Sequence, residues 1–363
     1  MGKIVTFGEI MGRISPDGFY RFSQTLPGKI NFTFGGGEAN VAMSLAQFGL
    51  DVSFITALPK NTISESCVNL LRGLNIDTSY IIYNKGRLGL YYAESGANQR
   101  ASQVVYDRDY SAISLAKPED YNLKNAFSNA EWFHFTGITP AISKTSAEAT
   151  VFAAKTAKES GLTVSCDLNF RKKLWGWKEG VTAEDLAKET AKEYMPFVDV
   201  VIANEEDADK VLGIKPDENN VEGGTLNIDG YIDVARKIVE NYPNVKRVAI
   251  SLRESKSATH NDWGGMLYDA ASGKAYFAPI KDGEYFPYEI KNIIDRIGGG
   301  DSFGAGLIYA HLSEKYSSNS QNIIAFAVAA SCLKHSIIGD FNYTSVSEVE
   351  TLLKGDGSGR VNR

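Results

Sequence analysis

The sequence predicts an α/β fold in which helices cover both faces of a mostly parallel central sheet and a small β-sheet forms a lid. Strand-like and helix-like runs alternate through most of the 363 residues, which is the pattern of parallel βαβ units. The strand-like runs are rich in apolar residues, as expected for strands that are buried on both faces. Two stretches break the alternation and have no room for a crossover helix, so we assign them to the lid.

Six apolar runs are predicted to form mostly buried strands. They cover residues 3–8, 51–58, 130–137, 162–169, 198–204 and 245–251. Amphipathic runs between them predict helices that pack on the sheet, including residues 38–49, 146–161 and 232–242. The polar residues 214–230 predict a surface loop, and the tail 354–363 is expected to fray.

The two exceptional stretches, residues 12–34 and 80–110, combine aromatic and β-branched runs with polar turns. This pattern predicts short antiparallel strands. We assign these two ranges to the lid, and residues 1–11, 35–79 and 111–355 to the α/β core that binds nucleotide and substrate. Ordinary hairpin decoration of the core is the alternative for both ranges.

The composition indicates a cytoplasmic globular protein that binds neither nucleic acid nor membranes. The formal net charge is −6, whereas nucleic-acid-binding domains usually carry a basic excess. No apolar run reaches the ~18 residues that span a bilayer, and the first residues alternate like a strand and do not resemble a signal peptide. Cys67, Cys166 and Cys332 are far apart, so we expect reduced thiols and neither a zinc site nor a disulfide framework. His134 and His335 have no metal-ligating neighbours in sequence and are assigned to packing.

The segment "DRIGGGDSFGAGL", residues 295–307, places a glycine run before a predicted helix. It is not a dinucleotide-binding fingerprint, because Phe303 stands where the third glycine should be, and the chain contains no Walker phosphate loop. Unpaired N–H groups at a helix N-terminus attract anions, and glycines let a phosphate approach the backbone closely. A carboxylate at this place, here Asp301, is suited to accept a proton from a hydroxyl that attacks a phosphoryl group. From these residues alone, a helix-capping aspartate in an ordinary loop is the alternative.

The same segment resembles the carboxy-terminal signature of the ribokinase-like (PfkB) sugar kinases, with Gly299 in place of the usual alanine. Residues 35–58, "GGGEANVAMSLAQFGLDVSFITAL", resemble the amino-terminal signature of that family. The resemblance implies a ribokinase-like three-layer α/β/α fold and ATP-dependent phosphorylation of a sugar. It also implies Mg²⁺ that is held mostly through water and not directly by protein ligands, and it leaves a monovalent cation such as K⁺ open as a further cofactor. A homodimer or higher homo-oligomer joined through the lid is expected as well.

Within the family, residues 105–114, 133–143 and 167–175 resemble the 2-keto-3-deoxygluconate kinases. This branch implies transfer of the γ-phosphate of ATP to the 6-hydroxyl of 2-keto-3-deoxy-D-gluconate. The chemistry fits, because arginine pairs with a carboxylate through two parallel hydrogen bonds, and Arg108 and Arg171 lie in the matching segments. The alternatives are a kinase of a neutral sugar such as fructose or ribose, a kinase of the galactonate epimer, and a non-catalytic sugar-acid sensor.

The resemblance implies a role for each matching residue. Asp301 is the expected base, and Arg171 is expected to bind the substrate's carboxylate side and to lie near the transferred phosphate. The amides of the glycine run are expected to bind phosphate; they belong to Gly298, Gly299 and Gly300. The other expected substrate contacts are Gly36 and Asn40 to sugar oxygens, Tyr91, Tyr106 and Arg108 from the lid, Asn169 on the carboxylate side, and Asp340 after the last core helix.

Departures from the family pattern concern the nucleotide. After Asn204, an expected nucleotide contact, Asp207 stands where the family usually has a glutamate linked to magnesium and phosphate. Arg253 is expected to replace a Lys-x-Gly-like turn in binding phosphate. Asn342 is a candidate for the nucleotide side, with capping of the helix expected near Ser345 as the alternative.

Overall fold

A computed structural model describes residues 2–204, 206–217 and 228–355 of the chain. Residues 218–227 of the predicted surface loop and residues 356–363 of the predicted frayed tail lie outside the described residues. Within the described ranges, no helix is long and apolar enough to cross a membrane.

Strands and helices alternate along most of the described chain. The strands are β1 (Lys3–Phe7), β2 (Met11–Ser15), β3 (Asn31–Gly35), β4 (Val52–Ile55), β5 (Ala57–Pro59), β6 (Ile76–Asp77), β7 (Ile82–Asn84), β8 (Leu90–Glu94), β9 (Gln103–Asp107), β10 (Ala130–Thr136), β11 (Thr163–Asp167), β12 (Val200–Ala203), β13 (Arg247–Ser257), β14 (His260–Asp269), β15 (Lys274–Ala278), β16 (Ile280–Lys281), β17 (Glu284–Tyr285) and β18 (Tyr288–Ile290).

The helices cover the sheet and connect its strands. They are α1 (Phe22–Thr25), α2 (Gly37–Gln47), α3 (Thr62–Gly73), α4 (Ala112–Leu115), α5 (Leu123–Phe127), α6 (Ile138–Ile142), α7 (Lys144–Glu159), α8 (Ala183–Tyr194), α9 (Ile228–Asn241), α10 (Gly299–Leu312), α11 (Ser320–Lys334) and α12 (Val346–Leu353). Short 3-10 turns occur at Pro118–Asp120 and Met195–Phe197, and a π-helical turn occurs at Ala208–Leu212.

The central sheet has the strand order β15-β14-β13-β12-β11-β10-β1-β4-β6, with β18 paired to β14. All pairs from β13 to β6 are parallel, whereas β14, β15 and β18 pair antiparallel at one edge. The predicted run 51–58 divides into β4, which joins this sheet, and β5, which pairs with β7 in a separate sheet. The prediction of a mostly parallel central sheet is confirmed.

The two faces of the central sheet carry separate apolar clusters. Successive residues of a strand point to opposite faces, so Ile4 belongs to the cluster on the face that α2, α10 and α11 cover, whereas Val5 belongs to the cluster on the face that α7, α8 and α9 cover. All three thiols are free; Cys67 and Cys166 are buried, one in each cluster, and Cys332 is half-buried. Helices on both faces of one sheet give the predicted three-layer α/β/α architecture.

Four strands form a second, small sheet in the order β3-β2-β8-β9. β2 pairs antiparallel with β3, and β8 pairs antiparallel with β9, as expected for two hairpin-like stretches. The prediction was incomplete at the junction, because β2 and β8 pair in parallel and so unite the two stretches into one sheet. One face of this small sheet packs a minor apolar cluster that includes Met11, Tyr91 and Ile297.

Candidate active site

A cavity of about 350 Å³ lies at the edge where the parallel strands end. The strands β10, β11 and β12 end there at Thr136, Asp167 and Ala203. The small sheet and the first turn of α10 close other sides of the cavity. Most of the predicted site residues line it together, namely Gly36, Asn40, Tyr91, Tyr106, Asn169, Arg171, Asn204, Arg253, Gly298, Gly299, Gly300, Asp301 and Asp340.

Asp301 lies in the first turn of α10 and faces the cavity. Its Oδ2 accepts a hydrogen bond of 2.7 Å from the side-chain amide of Asn40, which lies on α2. Burial raises the pKa of Asp301 to about 6, the nearby Asp340 raises it further, and the Asn40 bond and the charges of Arg171 and Lys334 oppose the rise. A carboxyl group with this pKa is ionised at neutral pH and still basic enough to take up a proton.

The glycine turn before α10 depends on the absence of side chains. Gly298 caps the helix with a φ of 84°, a left-handed conformation that favours glycine. A Cβ atom at Gly298 would lie 2.2 Å from the carbonyl oxygen of Asp340. The turn therefore packs directly on the backbone of the segment after α11 and presents the first amides of α10 to the cavity.

Asp340 belongs to a buried group of charges between the small sheet and the core. Arg13, on β2, pairs with Asp295 at 2.7 Å and with Asp340 at 3.1 Å, and all three side chains are at most 6% exposed. The hydroxyl of Tyr91, on β8, donates to the Asp340 carboxylate at 2.6 Å. Two neighbouring strands of the small sheet thus hold the aspartate that packs on the glycine turn.

The loop after β11 positions Asn169 and Arg171 through local strain. Asn169 has a φ of 39°, a left-handed conformation that non-glycine residues adopt rarely and that recurs at functional sites. The Asp207 carboxylate accepts hydrogen bonds from the backbone N–H groups of Phe170 (2.9 Å) and Asn204 (3.0 Å). Asp207 therefore joins the loop after β11 to the turn after β12, which a shorter carboxylate than the family's usual glutamate still achieves.

Asp167 is a cavity residue that the sequence analysis missed. It is the last residue of β11, its side chain lines the cavity, and Asn169 donates to its Oδ2 at 3.3 Å. Burial raises its pKa well above the usual range, and the negative charges of Asp207 and Asp301 raise it further. The signal was available, because polar residues at the carboxyl ends of parallel strands are where such folds bind ligands.

Arginines and aromatic rings line another part of the cavity. Arg253, on β13, pairs in register with Trp263 of β14. The segment that stands in place of the family's Lys-x-Gly-like turn is therefore a long hairpin. The side chain of Arg296 donates to Asn261, and its pKa is lowered by burial and by the charge of Arg253. Two guanidinium groups on one part of the cavity wall form a site suited to phosphates.

His335 also lines this part of the cavity, although the sequence analysis assigned it to packing. Its ring lies 4.9 Å from that of Trp263, and its Nδ1 contacts the Ser331 carbonyl oxygen at 2.8 Å. Burial lowers its pKa to about 4, so the ring is neutral at physiological pH. His134, in contrast, is fully buried in β10, as predicted.

Arg108 does not line the cavity in this structure, and its contact with the substrate's carboxylate stays a prediction. Its Nε donates to Oε2 of Glu9 at 2.7 Å, and a second guanidinium nitrogen contacts the same oxygen. Both side chains are at most 5% exposed. A buried carboxylate requires a counter-charge, so Glu9 holds the guanidinium beneath the small sheet.

Asn342 lies outside the cavity lining, and its nucleotide role stays a prediction. Its Oδ1 accepts hydrogen bonds from the N–H (3.0 Å) and hydroxyl (2.8 Å) of Thr344. Asparagine often bonds to the backbone two residues ahead, and this local turn occupies the side-chain oxygen of Asn342. The helix expected near Ser345 does begin there, because Ser345 caps α12.

A buried glutamate fixes the start of α2 beside the cavity. Oε1 of Glu38 accepts hydrogen bonds from the N–H (3.1 Å) and hydroxyl (2.8 Å) of Thr136 and from the hydroxyl of Thr139 (2.8 Å). Burial raises the pKa of Glu38 to about 7. The sequence analysis missed this role, because an acidic residue in a first helical turn is common for electrostatic reasons alone.

Comparison with known proteins identifies the family. A family model of pfkB family carbohydrate kinases matches residues 1–340. The chain belongs to the pfkB family of carbohydrate kinases. Kinases of this family use ATP with Mg²⁺.

The relatives of this pfkB kinase include kinases of 2-dehydro-3-deoxy sugar acids. A crystal structure of 2-dehydro-3-deoxygluconokinase from Thermotoga maritima is 44% identical, with a TM-score of 0.87, and the match covers 98% of this chain and 100% of that one. The 2-dehydro-3-deoxygalactonokinase of Haloferax volcanii is 28% identical over 98% of both chains. The 2-dehydro-3-deoxygluconokinase of Escherichia coli K12 is 25% identical over 86% of this chain and 88% of its own. These matches confirm the predicted family, its sugar-acid branch and the ribokinase-like fold.

Proposed function

We propose that the chain transfers the γ-phosphate of ATP to the 6-hydroxyl of 2-keto-3-deoxy-D-gluconate, which is also called 2-dehydro-3-deoxy-D-gluconate. The product is 2-keto-3-deoxy-6-phosphogluconate. The observation that carries the proposal is the placement of Asp301, which faces the cavity at the N-terminus of α10 beside the glycine turn. A base next to an anion-binding helix terminus is the arrangement that phosphoryl transfer to a hydroxyl requires.

In the proposed reaction, Asp301 takes the proton of the 6-hydroxyl as that oxygen attacks phosphorus. Asn40 holds the carboxylate through its bond to Oδ2, so one oxygen is fixed while the group faces the substrate. The amides of Gly299 and Gly300, in the first turn of α10, stabilise the negative charge on the transferred phosphoryl oxygens. Arg171, whose charge lowers the pKa of Asp301, lies close enough to act on the same reacting group.

The residues on the strand ends fit a magnesium ion. Asp167 and Asp207 raise the cost of each other's negative charge, and a divalent cation relieves that repulsion. Hard oxygen ligands suit Mg²⁺, which usually keeps several waters, so these two carboxylates would hold it mostly through water. When bound, the ion neutralises charge on the phosphates of ATP. Asn204, Arg253 and Arg296 are the proposed protein contacts of those phosphates, since all three line the cavity.

The acid end of the substrate is assigned to Arg171, with Asn169 and Tyr106 as polar neighbours in the cavity. Arg108 is paired with Glu9, and a role for it at the acid end stays a prediction. A neutral sugar would leave the Arg171 guanidinium without its carboxylate, which disfavours a fructose- or ribose-type substrate. The galactonate epimer is the second candidate, because a relative matched over 98% of both chains is named for it. The pairing of Asp301 with Asn40 argues against a non-catalytic sensor.

The proposal is tested by a coupled ADP-release assay with ATP and Mg²⁺ on four acceptors in parallel. These acceptors are 2-keto-3-deoxygluconate, its galactonate epimer, fructose and ribose. Turnover confined to the two sugar acids supports the proposal, and the ratio of their kcat/KM values assigns the epimer. Turnover of fructose or ribose alone would overturn the sugar-acid assignment, and no turnover of any acceptor would overturn the proposed substrate.

We further propose that residues 12–34 and 80–110 act as the lid and that two lids pair in a homodimer. Phe32, Ile14, Tyr92 and Val105 are cross-strand neighbours and form a continuous apolar row on one face of the small sheet. Phe32 is 46% exposed and Val105 is 60% exposed. Light scattering tests the dimer: Val105→Lys is expected to give a monomer, and a monomeric unmodified protein would rule out the pairing. A cytoplasmic location stays a prediction.

A further inference from the structure

Lys334, the last residue of α11, has a fully buried side chain with a relative exposure of 0%. Lysines are almost never fully buried unless their charge is paired. The Nζ atom donates to the Ile337 carbonyl oxygen at 3.1 Å, and its Cε would lie 3.2 Å from a Cβ atom at Gly298. The ammonium group is therefore placed directly beneath the phosphate-binding glycine turn.

The charges around Lys334 explain how an ammonium is tolerated at this depth. Burial lowers the pKa of Lys334, and the negative charges of Asp295, Asp340 and Asp301 offset part of that fall. Arg13 acts in the opposite direction to these carboxylates, but it is itself paired with Asp295 and Asp340. Lys334 and Arg13 thus offset part of the negative charge of three carboxylates around the turn, so removal of either cation increases the negative charge where phosphate must bind.

Hydrogen bonds of these buried residues and of Ser331 join the glycine turn to the end of α11. Asp295 accepts hydrogen bonds from the N–H of Ile297 at 3.1 Å and from the N–H of Gly339 at 3.1 Å. The hydroxyl of Ser331, one turn before Lys334, donates to the Gly299 carbonyl oxygen at 2.6 Å. The lysine bond to Ile337 closes the segment between α11 and Asp340. A shift of the segment between α11 and Asp340 would therefore also move the glycine turn.

These contacts bear on the monovalent cation that the family resemblance left open. An ion such as K⁺ at the turn needs several oxygen ligands with room between them. The Ile337 carbonyl oxygen already accepts from Lys334, and the carboxylates of Asp295 and Asp340 already pair with Arg13. The residues present do not fit a bound monovalent ion at this place.

We infer that the Lys334 ammonium is a built-in cation that positions the glycine turn and supplies the charge a monovalent ion would otherwise provide. Lys334 is a positioning residue, since it acts on the phosphates and on Asp301 through the turn. Turnover and nucleotide binding are then independent of K⁺. The inference rests on the proposed kinase activity of the same site, so its test includes a readout that needs no sugar acceptor.

The first arm compares the unmodified protein in choline chloride, NaCl and KCl at equal ionic strength. Turnover and the Kd of ADP from calorimetric titration are expected to differ by less than about twofold among the salts, which is under ~0.5 kcal/mol. A larger stimulation by K⁺ would overturn the inference. The ADP titration reports on the turn even if none of the tested sugar acids is a substrate, so a wrong substrate and a wrong cation role are told apart.

The second arm uses Lys334→Ala, which opens a space lined by the same oxygen atoms. In choline chloride its turnover is expected to fall by about tenfold or more, the effect of ~1.4 kcal/mol, and K⁺ or methylammonium is expected to restore part of it. The isosteric Lys334→Met fills the space and should lose activity without recovery. Full activity of Lys334→Ala in choline chloride, or a folded variant that no cation restores, would show that the ammonium has no such role.

A matched control is Lys158→Ala, which removes a lysine that pairs with Asp199 at 2.6 Å. Asp199 precedes β12, so this pair lies at the amino ends of the strands and away from the cavity. Its turnover should respond to no cation, and a response would indicate a general salt effect that overturns the assignment to Lys334. If Lys334→Ala does not fold, as judged by circular dichroism, the salt comparison on the unmodified protein still decides.

Discussion

Asn40 and Asp301 lie 261 residues apart in sequence, and their side chains meet at 2.7 Å across the cavity. The Nδ2 of Asn40 donates to the Asp301 carboxylate, and its Oδ1 accepts from the N–H of Gly36 at 3.2 Å. The helix of the amino-terminal signature thereby orients the proposed base of the carboxy-terminal signature. A hydrogen bond to a carboxylate also stabilises its ionised form, so this contact controls both the position and the pKa of Asp301.

The base itself is tested by Asp301→Asn, which keeps the shape of the side chain and removes its ability to take up a proton. We expect kcat to fall by ~10²–10⁴-fold, with the KM for ATP little changed. The matched control is Asp229→Asn, an exposed aspartate in the first turn of α9, and it should retain full activity. A kcat of the Asp301 variant within a few-fold of the unmodified protein would show that another group is the base.

The pH dependence of kcat follows from the raised pKa of Asp301. The base acts in its ionised form, so kcat should decline as the pH falls below about 6. Asn40→Ala removes a hydrogen bond that lowers this pKa, so the acid limb should move to higher pH. A bond to a charged group is worth ~1.5–3 kcal/mol, which corresponds to a shift of about 1–2 pH units.

The control for Asn40→Ala is Asn61→Ala, which removes the cap of α3 and lies outside the cavity. It should lower the melting temperature without moving the acid limb. An unchanged limb in the Asn40 variant would mean that its bond to Asp301 has no influence on proton uptake.

The proposed binding of the substrate's carboxylate by Arg171 is tested by Arg171→Met, which keeps most of the side-chain volume and removes the charge. We expect the KM for the sugar acid to rise by about 10–100-fold, because hydrogen bonds to charged groups contribute ~1.5–3 kcal/mol. Arg236→Met, on the surface of α9, is the control and should leave the KM unchanged. If the Arg171 variant binds the acid normally, another group must hold the carboxylate.

Much of the site was predictable because its residues belong to short, dense motifs. The glycine run before Asp301 and the run before Asn40 each combine a helix start with bare backbone, which is a local physical signal. The parallel sheet was predictable for a similar reason, since buried strands are read from continuous apolar runs such as residues 198–204.

Contacts between residues that are far apart in sequence could not be predicted. Arg13 and Asp340 are 327 residues apart, and nothing in the local pattern of either predicts their pairing. The pairing of Arg108 with the buried Glu9, 99 residues away in sequence, is likewise not predicted by the local pattern of either segment. Whether a charge meets a ligand or another side chain depends on packing that neither segment encodes alone.

The Arg108–Glu9 pair is therefore expected to behave as a buried ion pair in unfolding experiments. Arg108→Met leaves Glu9 without its counter-charge and should lower the free energy of unfolding by ~3–5 kcal/mol. Adding Glu9→Gln to that variant should recover most of the loss, since the remaining groups are neutral. Chemical denaturation of the single and double variants measures the coupling, and additive losses would contradict a direct pair.

The raised pKa of Glu38 predicts how the free energy of unfolding depends on pH, and this effect can be measured separately from catalysis. Its pKa is about 7 in the folded protein, against an ordinary value of 4.5, so the folded state holds this proton more tightly than the unfolded state. Between these two values the free energy of unfolding should therefore fall as the pH rises, by up to ~1.4 kcal/mol per pH unit, and then level off. Other buried carboxyl groups with raised pKa values, including Asp340, act in the same direction, so the comparison must be between variants.

Glu38→Gln keeps an acceptor for the hydroxyl groups of Thr136 and Thr139 and removes the titrating proton. Chemical denaturation from pH 5 to pH 8 should show a shallower decline for this variant than for the unmodified protein, and at pH 8 the variant should be the more stable of the two. Glu65→Gln, an exposed glutamate in the first turn of α3, is the control and should leave the slope unchanged. Parallel curves for Glu38→Gln and the unmodified protein would mean that Glu38 is ionised in the folded state at these pH values, with the three donors around Oε1 compensating fully for its burial.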